Sequence, residues 1–302
     1  MITNPTVSII IPTYKRNSST LCRAIESARR QSYKNIEIII IDDNADKELS
    51  KYRSDNFCLF NGLLKKDSRI KLILNNTNLG GALSRNEGIK QATGEYITFL
   101  DDDDYFLDDK ILHQIDYMES SGVNFSFTDL YLYNKNNKVV DIRDRSDIKT
   151  LDKDHLLKYH IVKNITGTET FMISKKLIDQ IGAFDDVPTG HEFYLMLKVL
   201  ECPLSKIGYY KSNDIVAYRT SNSSISNGPK KIIGENLIYK KRREYFHLLS
   251  FKEKRLVNCR HRAVLGVSYL RRKKIIKGIA FLFYAFLTSP LLTFKEFFLK
   301  QR

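Results

Sequence analysis

Four consecutive aspartates, Asp101 to Asp104, follow directly on Tyr96-Ile97-Thr98-Phe99-Leu100, and this junction constrains the fold more than any other stretch. The run before them is aromatic and β-branched and alternates in polarity, the pattern of a buried strand. Adjacent carboxylates repel, and burial would raise their pKa values until the charge was lost. The strand must therefore end at a rim open to water or to a cation. Hard carboxylate oxygens there can hold Mg2+ or Mn2+ and leave positions for water and phosphate. A solvated acidic turn is the other reading, with Asp108-Asp109 ahead of Lys110-Ile111-Leu112 as a favourable helix start.

The segments upstream repeat this design. Val7 to Ile11 and Ile36 to Ile41 read as buried parallel strands, the first ended by Pro12 and the second by Asp42-Asp43-Asn44. Ile70 to Asn75 reads as a third strand, ahead of Asn78-Leu79-Gly80-Gly81. Helical patterns lie between, over Leu21 to Ala28, with Ser18, Ser19 and Thr20 as available caps, and over Ala82 to Ala92. Strand-helix alternation with buried strands predicts a doubly wound α/β sheet, whose ligands gather at the strands' carboxyl ends. Further on the pattern predicts strands over Phe125 to Leu132 and Thr170 to Ile173, helices over Lys175 to Ile181 and Glu192 to Glu201, and a last strand over Val216 to Arg219.

At 302 residues the chain is long enough for one large domain or somewhat more. Cys22, Cys58, Cys202 and Cys259 form no CxxC pair, so neither a zinc site nor a disulfide framework is expected. Met1 to Pro5 lacks a basic region followed by an apolar stretch, and the expectation is a reduced cytoplasmic protein. Charge is unevenly placed. Residues 1–228 carry 30 Lys+Arg against 31 Asp+Glu, whereas residues 229–302 carry 19 against 4. The whole excess of +14 thus belongs to the last quarter, which implies an anionic partner, nucleic acid or membrane.

No G-x-G-x-x-G follows the first strand and no P-loop motif is present, so a nucleotide would need a metal for its phosphates. Four segments in order then resemble the inverting family 2 glycosyltransferases of GT-A fold. They are Val7 through Pro12-Thr13-Tyr14, Ile41-Asp42-Asp43-Asn44, Asn78-Leu79-Gly80 through Arg85-Asn86-Glu87-Gly88, and Gly94 through Asp104. Ile181-Gly182-Ala183-Phe184-Asp185 is similar to the family's Gly-x-Phe-Asp turn. The resemblance covers roughly residues 5–225 and implies a GT-A catalytic domain over 1–228. Within it, 1–104 would be the nucleotide-binding half and 105–228 the acceptor-binding half.

The resemblance assigns Pro12, Thr13 and Tyr14 to the nucleotide, with the Tyr14 ring available for stacking, and Asp43 to the N3–H of uracil. It assigns Arg85 to base or diphosphate and Asp102 to ribose or metal. Asp103 would be the principal contact of Mn2+ or Mg2+, which neutralises the departing diphosphate. Asp104 would be structural. Glu192 falls on the position of the base that deprotonates the acceptor hydroxyl, and His191 departs from the acid usually found before it. Arg219, beside Tyr218 and ahead of Ser223 to Ser226, is the candidate for a loop closing over the diphosphate; the histidine that relatives carry near Thr220 to Asn222 is missing.

Residues 229–302 read as helical, basic and aromatic. Gly278 to Phe294 is an uncharged run interrupted by Pro290, marginal for crossing a bilayer but suited, beside Arg271-Arg272-Lys273-Lys274, to lying on an anionic leaflet. Packing on the catalytic domain or a second subunit is the alternative. The expected function is transfer of a sugar from a nucleotide-sugar, a UDP-sugar, to a lipid-linked or surface-glycan acceptor at the inner face of a bacterial membrane. Competing readings are a nucleic-acid binder using the basic tail, and a family member that binds sugar nucleotides without catalysis.

Overall fold

The computed structural model describes residues 4–45, 50–134, 136–165, 167–218 and 229–290. Strands and helices alternate at first: β1 (Val7–Thr13), α1 (Ser18–Arg29), β2 (Ile36–Asp42), α2 (Ser50–Lys66), β3 (Ile70–Leu74), α3 (Gly81–Gln91) and β4 (Tyr96–Phe99). A more irregular half follows: β5 (Tyr105–Phe106), α4 (Lys110–Ser121), β6 (Phe125–Thr128), β7 (Leu130–Tyr133), β8 (Val139–Arg143), α5 (Lys153–Lys163), β9 (Met172–Ser174), α6 (Lys175–Ile181), α7 (His191–Glu201), β10 (Ile207–Tyr210) and β11 (Ile215–Tyr218). The basic quarter is helical, as its pattern predicts: α8 (Pro229–Glu244), α9 (Phe251–Arg271) and α10 (Ile275–Thr288).

The main sheet runs β10-β6-β9-β4-β1-β2-β3, with β1 parallel to both β2 and β4. Alternation along each strand divides the core between its two faces. Val7, Ile9 and Ile11 join Ile36, Ile38 and Ile40 on the side covered by α1 and α4. Ile10 joins Ile39 and Ile41 on the side covered by α3, α6 and α7. A helix on each face explains why the strands are apolar throughout rather than on one side. Gly88 permits the close fit of α3, because a Cβ there would lie 2.6 Å from Ile10 Cγ2 and 2.8 Å from Ile41 Cδ1. From β1 the chain winds outward through β2 to β3 and then returns to β4 on the other side. The order reverses between β1 and β4, which is where doubly wound sheets open a ligand crevice.

Local chemistry departs from the sequence reading at several points. Asn17, rather than Ser18, Ser19 or Thr20, caps α1, its side chain accepting the Thr20 N–H at 2.9 Å. Asp109 sits at the start of α4 without capping it. Gln31 does so from across the core, its Oε1 accepting the Ile111 N–H at 2.9 Å while its Nε2 donates to the Leu107 carbonyl at 2.7 Å. The single strand expected over Phe125 to Leu132 is two. It breaks at Asp129, whose carboxylate takes the Arg145 N–H and the Tyr209 hydroxyl, and β7 leaves for a smaller sheet ordered β5-β11-β7-β8. Helices α2 and α5 carry no clear apolar stripe and escaped the pattern.

The basic quarter does not hang free. Ile238, Leu249 and Val257 pack with Phe193 and Leu197 of α7 and with Ile161 and Val162 of α5. Gly190 adopts φ +78°, and a Cβ there would lie 2.4 Å from Ile238 Cδ1, so glycine serves both the turn into α7 and the approach of α8. Helices α9 and α10 form a hairpin, with Cys259, Ala263 and Ala285 buried between them.

One buried carboxylate ties the base of the sheet together. Glu37 accepts from Ser8 Oγ at 2.6 Å, the amides of Thr93 and Gly94 at 2.6 and 3.0 Å, and Lys71 Nζ at 2.7 Å. Burial alone would raise its pKa, but the Lys71 ammonium, the Ser8 hydroxyl and the two amides outweigh it and bring it down to about 2. A depressed folded-state pKa stabilises above the unfolded value and loses that contribution as pH falls through the folded one. Glu37→Gln should therefore cost on the order of 3 kcal/mol at pH 7 and remove part of the wild-type acid destabilisation between pH about 4.5 and 2. Urea unfolding at pH 7 and pH 3 checks this; equal losses at both would contradict it.

Candidate active site

The carboxyl ends of β1, β2 and β4 bring together the segments that the sequence singled out. Thr13 ends β1 and pairs in register with Asp42, while Pro12 pairs with Ile41. Pro12 and Thr13 are thus held by the sheet itself, and Tyr14 is the first residue beyond it. The Tyr14 N–H donates to Asp102 Oδ2 at 3.3 Å, joining the end of β1 to the acidic turn after β4.

Asp43 is almost fully buried and its carboxylate is fully engaged. It accepts the Asn75 and Asn78 side-chain amides at 2.7 and 3.0 Å and the N–H groups of Leu79 and Gly80, both at 2.8 Å. Within the protein it therefore fixes the Asn78–Gly80 loop ahead of α3. Gly80 takes φ +80° there, the left-handed conformation that glycine adopts without strain.

The four aspartates are met by three partners, two of them sharing Arg16. Asp101 pairs with Arg85 Nη2. Asp102 meets Arg16, with Oδ1 at 2.8 Å from Nη2 and 2.9 Å from Nε. Asp103 Oδ2 lies 3.0 Å from the same Nη2, and the Asp103 carbonyl accepts Arg23 Nη2 at 2.6 Å. Asp104 turns inward and accepts the Tyr218 N–H at 2.9 Å, holding the end of β11. The compensation is incomplete. Burial raises Asp102 against the opposing pull of Arg16. Burial, with Asp102 and Asp101 beside it and Arg16 opposing, pushes Asp103 up to about 6.

Arg85 connects the acidic turn to the start of α7. Besides Asp101 it donates from Nη1 to the Gly81 carbonyl at 3.0 Å and lies 3.0 Å from His191 Nε2. A guanidinium can only donate, so Nε2 is the acceptor and the ring is neutral with its proton on Nδ1. Burial, followed by the Arg85 charge, lowers the His191 pKa in agreement. The His191 lone pair is thus already taken. Phe184, from the Gly-x-Phe-Asp turn, backs the pair with its ring edge-on to His191 and its face towards Arg85. Arg85 Nε is buried without an acceptor among the described residues.

Glu192 stands next along α7, in its first turn, half-buried. Among the described residues nothing donates a hydrogen bond to its carboxylate. Arg219 and the Thr220–Gly228 segment lie outside the described residues. Two further groups belong to the site and escaped sequence reasoning. Arg16 lies two residues beyond Tyr14, but a lone arginine after a strand carries no signal of its own. Glu169, buried on the 3-10 turn Thr168–Thr170, feels the charges of Asp101 and Glu192, and burial with Asp101 raises it to about 7. No motif marks it.

Among the described residues no three His, Cys, Asp or Glu side chains converge tightly enough to hold a metal alone. The donor set fits a different arrangement. Asp102 and Asp103 offer hard oxygens, Asp103 is 23% exposed, and the turn is short of positive charge. This suits a divalent ion held by one or two carboxylates that completes its shell with phosphate and water.

The model of the family described as "Glycosyl transferase family 2" matches residues 8–182. A UDP-Glc:alpha-D-GlcNAc-diphosphoundecaprenol beta-1,3-glucosyltransferase of Escherichia coli, WfgD, is 31% identical over 237 residues, covering 74% of this chain and 81% of its own. The matches to several other curated relatives span about a fifth to a half of those proteins' length. Residues 1–349 of S. aureus TarS, solved with UDP-GlcNAc, share the fold at a TM-score of 0.58 and 15% identity, over 91% of this chain and 89% of that one. A mannosyltransferase of Pyrobaculum calidifontis, solved with GDP-Man and Mn2+, does so at 0.59 and 13%, over 98% and 80%. These neighbours match the GT-A architecture expected from the sequence.

The Asp43 contacts generate a test. Asp43→Asn replaces one accepting oxygen with an NH2 group facing donors, which should cost about 2–4 kcal/mol. Amide exchange of Leu79 and Gly80 should accelerate at least tenfold; protection equal to wild type would contradict the loop-fixing role.

Proposed function

The chain belongs to glycosyl transferase family 2, and from that premise we propose that it transfers a sugar from a UDP-sugar to a lipid-linked glycan acceptor with inversion at the anomeric carbon. The observation that carries this is Glu192: a half-buried carboxylate that receives no hydrogen bond from any described residue, beside a rim of cations and carboxylates at the β1/β4 switch point. The name of WfgD supports the donor and acceptor classes.

In the proposed reaction Glu192 takes the acceptor hydroxyl's proton as that oxygen attacks the anomeric carbon and the bond to the diphosphate oxygen breaks. The proton ends on Glu192, the electron pair on the nucleoside diphosphate, and the configuration inverts. His191, neutral and bonded to Arg85, leaves the base role to Glu192 and steadies the guanidinium. Arg85 brings a permanent charge to the rim, with its buried Nε–H left without an acceptor among the described residues. Thr13 and Tyr14 would flank the nucleoside. Asp103, with Asp102 behind it, would hold a divalent ion, which when bound would supply Lewis-acid neutralisation of the charge on the leaving diphosphate. Glu192→Gln keeps the shape and removes the base. It should lower kcat about 10²–10⁴-fold with the donor KM and melting temperature nearly unchanged; full activity would overturn the assignment.

The α9–α10 hairpin supports a place at the membrane. No helix of the described residues is long and apolar enough to cross one. Yet Ile276, Ile279, Phe283 and Leu287 recur at helical spacing along α10 and are 57–87% exposed, beside Arg271-Arg272-Lys273-Lys274 at the hairpin's tip. An apolar stripe rimmed by cations suits the surface of an anionic leaflet. Replacing those four residues by serine should abolish flotation with phosphatidylglycerol vesicles and leave the melting temperature within a few degrees of wild type. Equal flotation would refute the anchor. Truncation at 227 is unsuitable, because it would strip α8 and α9 from Phe193 and Leu197.

A further inference from the structure

Arg16 is placed with unusual care for a residue in a loop. Lys15 before it adopts φ +53°, a left-handed conformation that costs a non-glycine residue free energy. The cost is met locally: the Lys15 N–H donates to Asn44 Oδ1 at 2.7 Å, and Asn44 is itself held by Asp42 Oδ1 through its own N–H at 2.8 Å and its Nδ2 at 2.9 Å. On the far side the Arg16 carbonyl accepts Asn56 Nδ2 at 3.4 Å. The end of β2 and α2 thus aim one guanidinium at the acidic turn, where Nη2 lies 2.8 Å from Asp102 Oδ1 and 3.0 Å from Asp103 Oδ2. These are the carboxylates proposed above to hold a divalent cation.

We propose that Arg16 is a displaceable counter-cation: it neutralises Asp102 and Asp103 in the free protein and turns to the donor's diphosphate when donor and metal arrive together. The inference rests on the metal-assisted reading of the site. A divalent ion arriving alone must compete with the guanidinium for the same oxygens and withstand its repulsion a few ångströms away. A diphosphate changes the balance, because its paired oxygens offer the guanidinium a two-pronged partner as good as the one it leaves. The acidic turn then passes from a monovalent to a divalent cation with no stage at which Asp102 and Asp103 are left without a cation. Arg16 therefore couples metal binding to donor binding, and its return favours departure of the spent nucleoside diphosphate with its ion. Its role is positioning, exerted through the carboxylates.

Titration of Mn2+ alone against the full chain, read by the electron paramagnetic resonance of free Mn2+, tests this with and without UDP. Arg16→Gln should bind Mn2+ alone at least tenfold more tightly than wild type, and UDP should then tighten it less than it tightens wild type. Arg16→Lys, which keeps the charge but cannot span both carboxylates, should fall between. Equal or weaker binding of Mn2+ alone by a folded Arg16→Gln protein would overturn the proposal. In wild type the Arg16 Nε–H resonance, assigned by its loss in Arg16→Lys, should move on adding UDP with Mg2+ and stay in place with Mg2+ alone. A resonance unmoved while UDP and Mg2+ bind would overturn it as well. Wild type that takes up no Mn2+ even with UDP would instead overturn the metal-assisted reading from which the proposal starts.

Discussion

Mutual repulsion among four adjacent carboxylates is the constraint around which this site is built. They are answered from three parts of the chain: Asp101 by Arg85 of α3, Asp102 and Asp103 by Arg16 beyond β1, and Asp104 by the Tyr218 N–H at the end of β11. Because the partners come from distant segments, neutralising one turn ties β1, α3 and β11 to β4. The sheet supplies the apolar platform, but the acidic turn fixes where its loops must go.

The same economy runs on from Arg85. One guanidinium joins Asp101 to His191 and so sets the start of α7, where Glu192 stands. Glycine at 190 lets that helix begin close under α8, which links the basic quarter to the candidate base. In the proposed reaction, the residues that bind the donor and the one that deprotonates the acceptor are therefore parts of one connected arrangement. Family membership and the GT-A architecture rest on independent ground, the family match and the shared fold.

Much of this was legible in the chain because it is local. Buried strands ending in Pro12, Asp42 and Asp101 announce a doubly wound sheet with a polar rim, and the order of four motifs announces the family. What was hidden is tertiary. Gln31 caps α4 from the loop beyond α1, so no local pattern reveals it. The expected strand beyond Phe125 divides because Asp129 satisfies Arg145 and Tyr209 and turns β7 into a second sheet. Arg16 and Glu169 draw their significance from the carboxylates around them, which sequence spacing does not place. Asp43 was picked out by its position, whereas its second task, organising the Asn78–Gly80 loop through four protein donors, depends on tertiary contacts.

A single displacement with Glu192 as base has a stereochemical consequence. Proton NMR of the newly formed anomeric centre, recorded on the product of an α-linked UDP-sugar and a lipid-linked acceptor, tests it most directly. Single displacement gives a β-linkage, formed by attack opposite the departing diphosphate. An α-linked product would contradict it, because retention needs a second displacement or attack from the leaving group's own face, and the proposed mechanism provides neither.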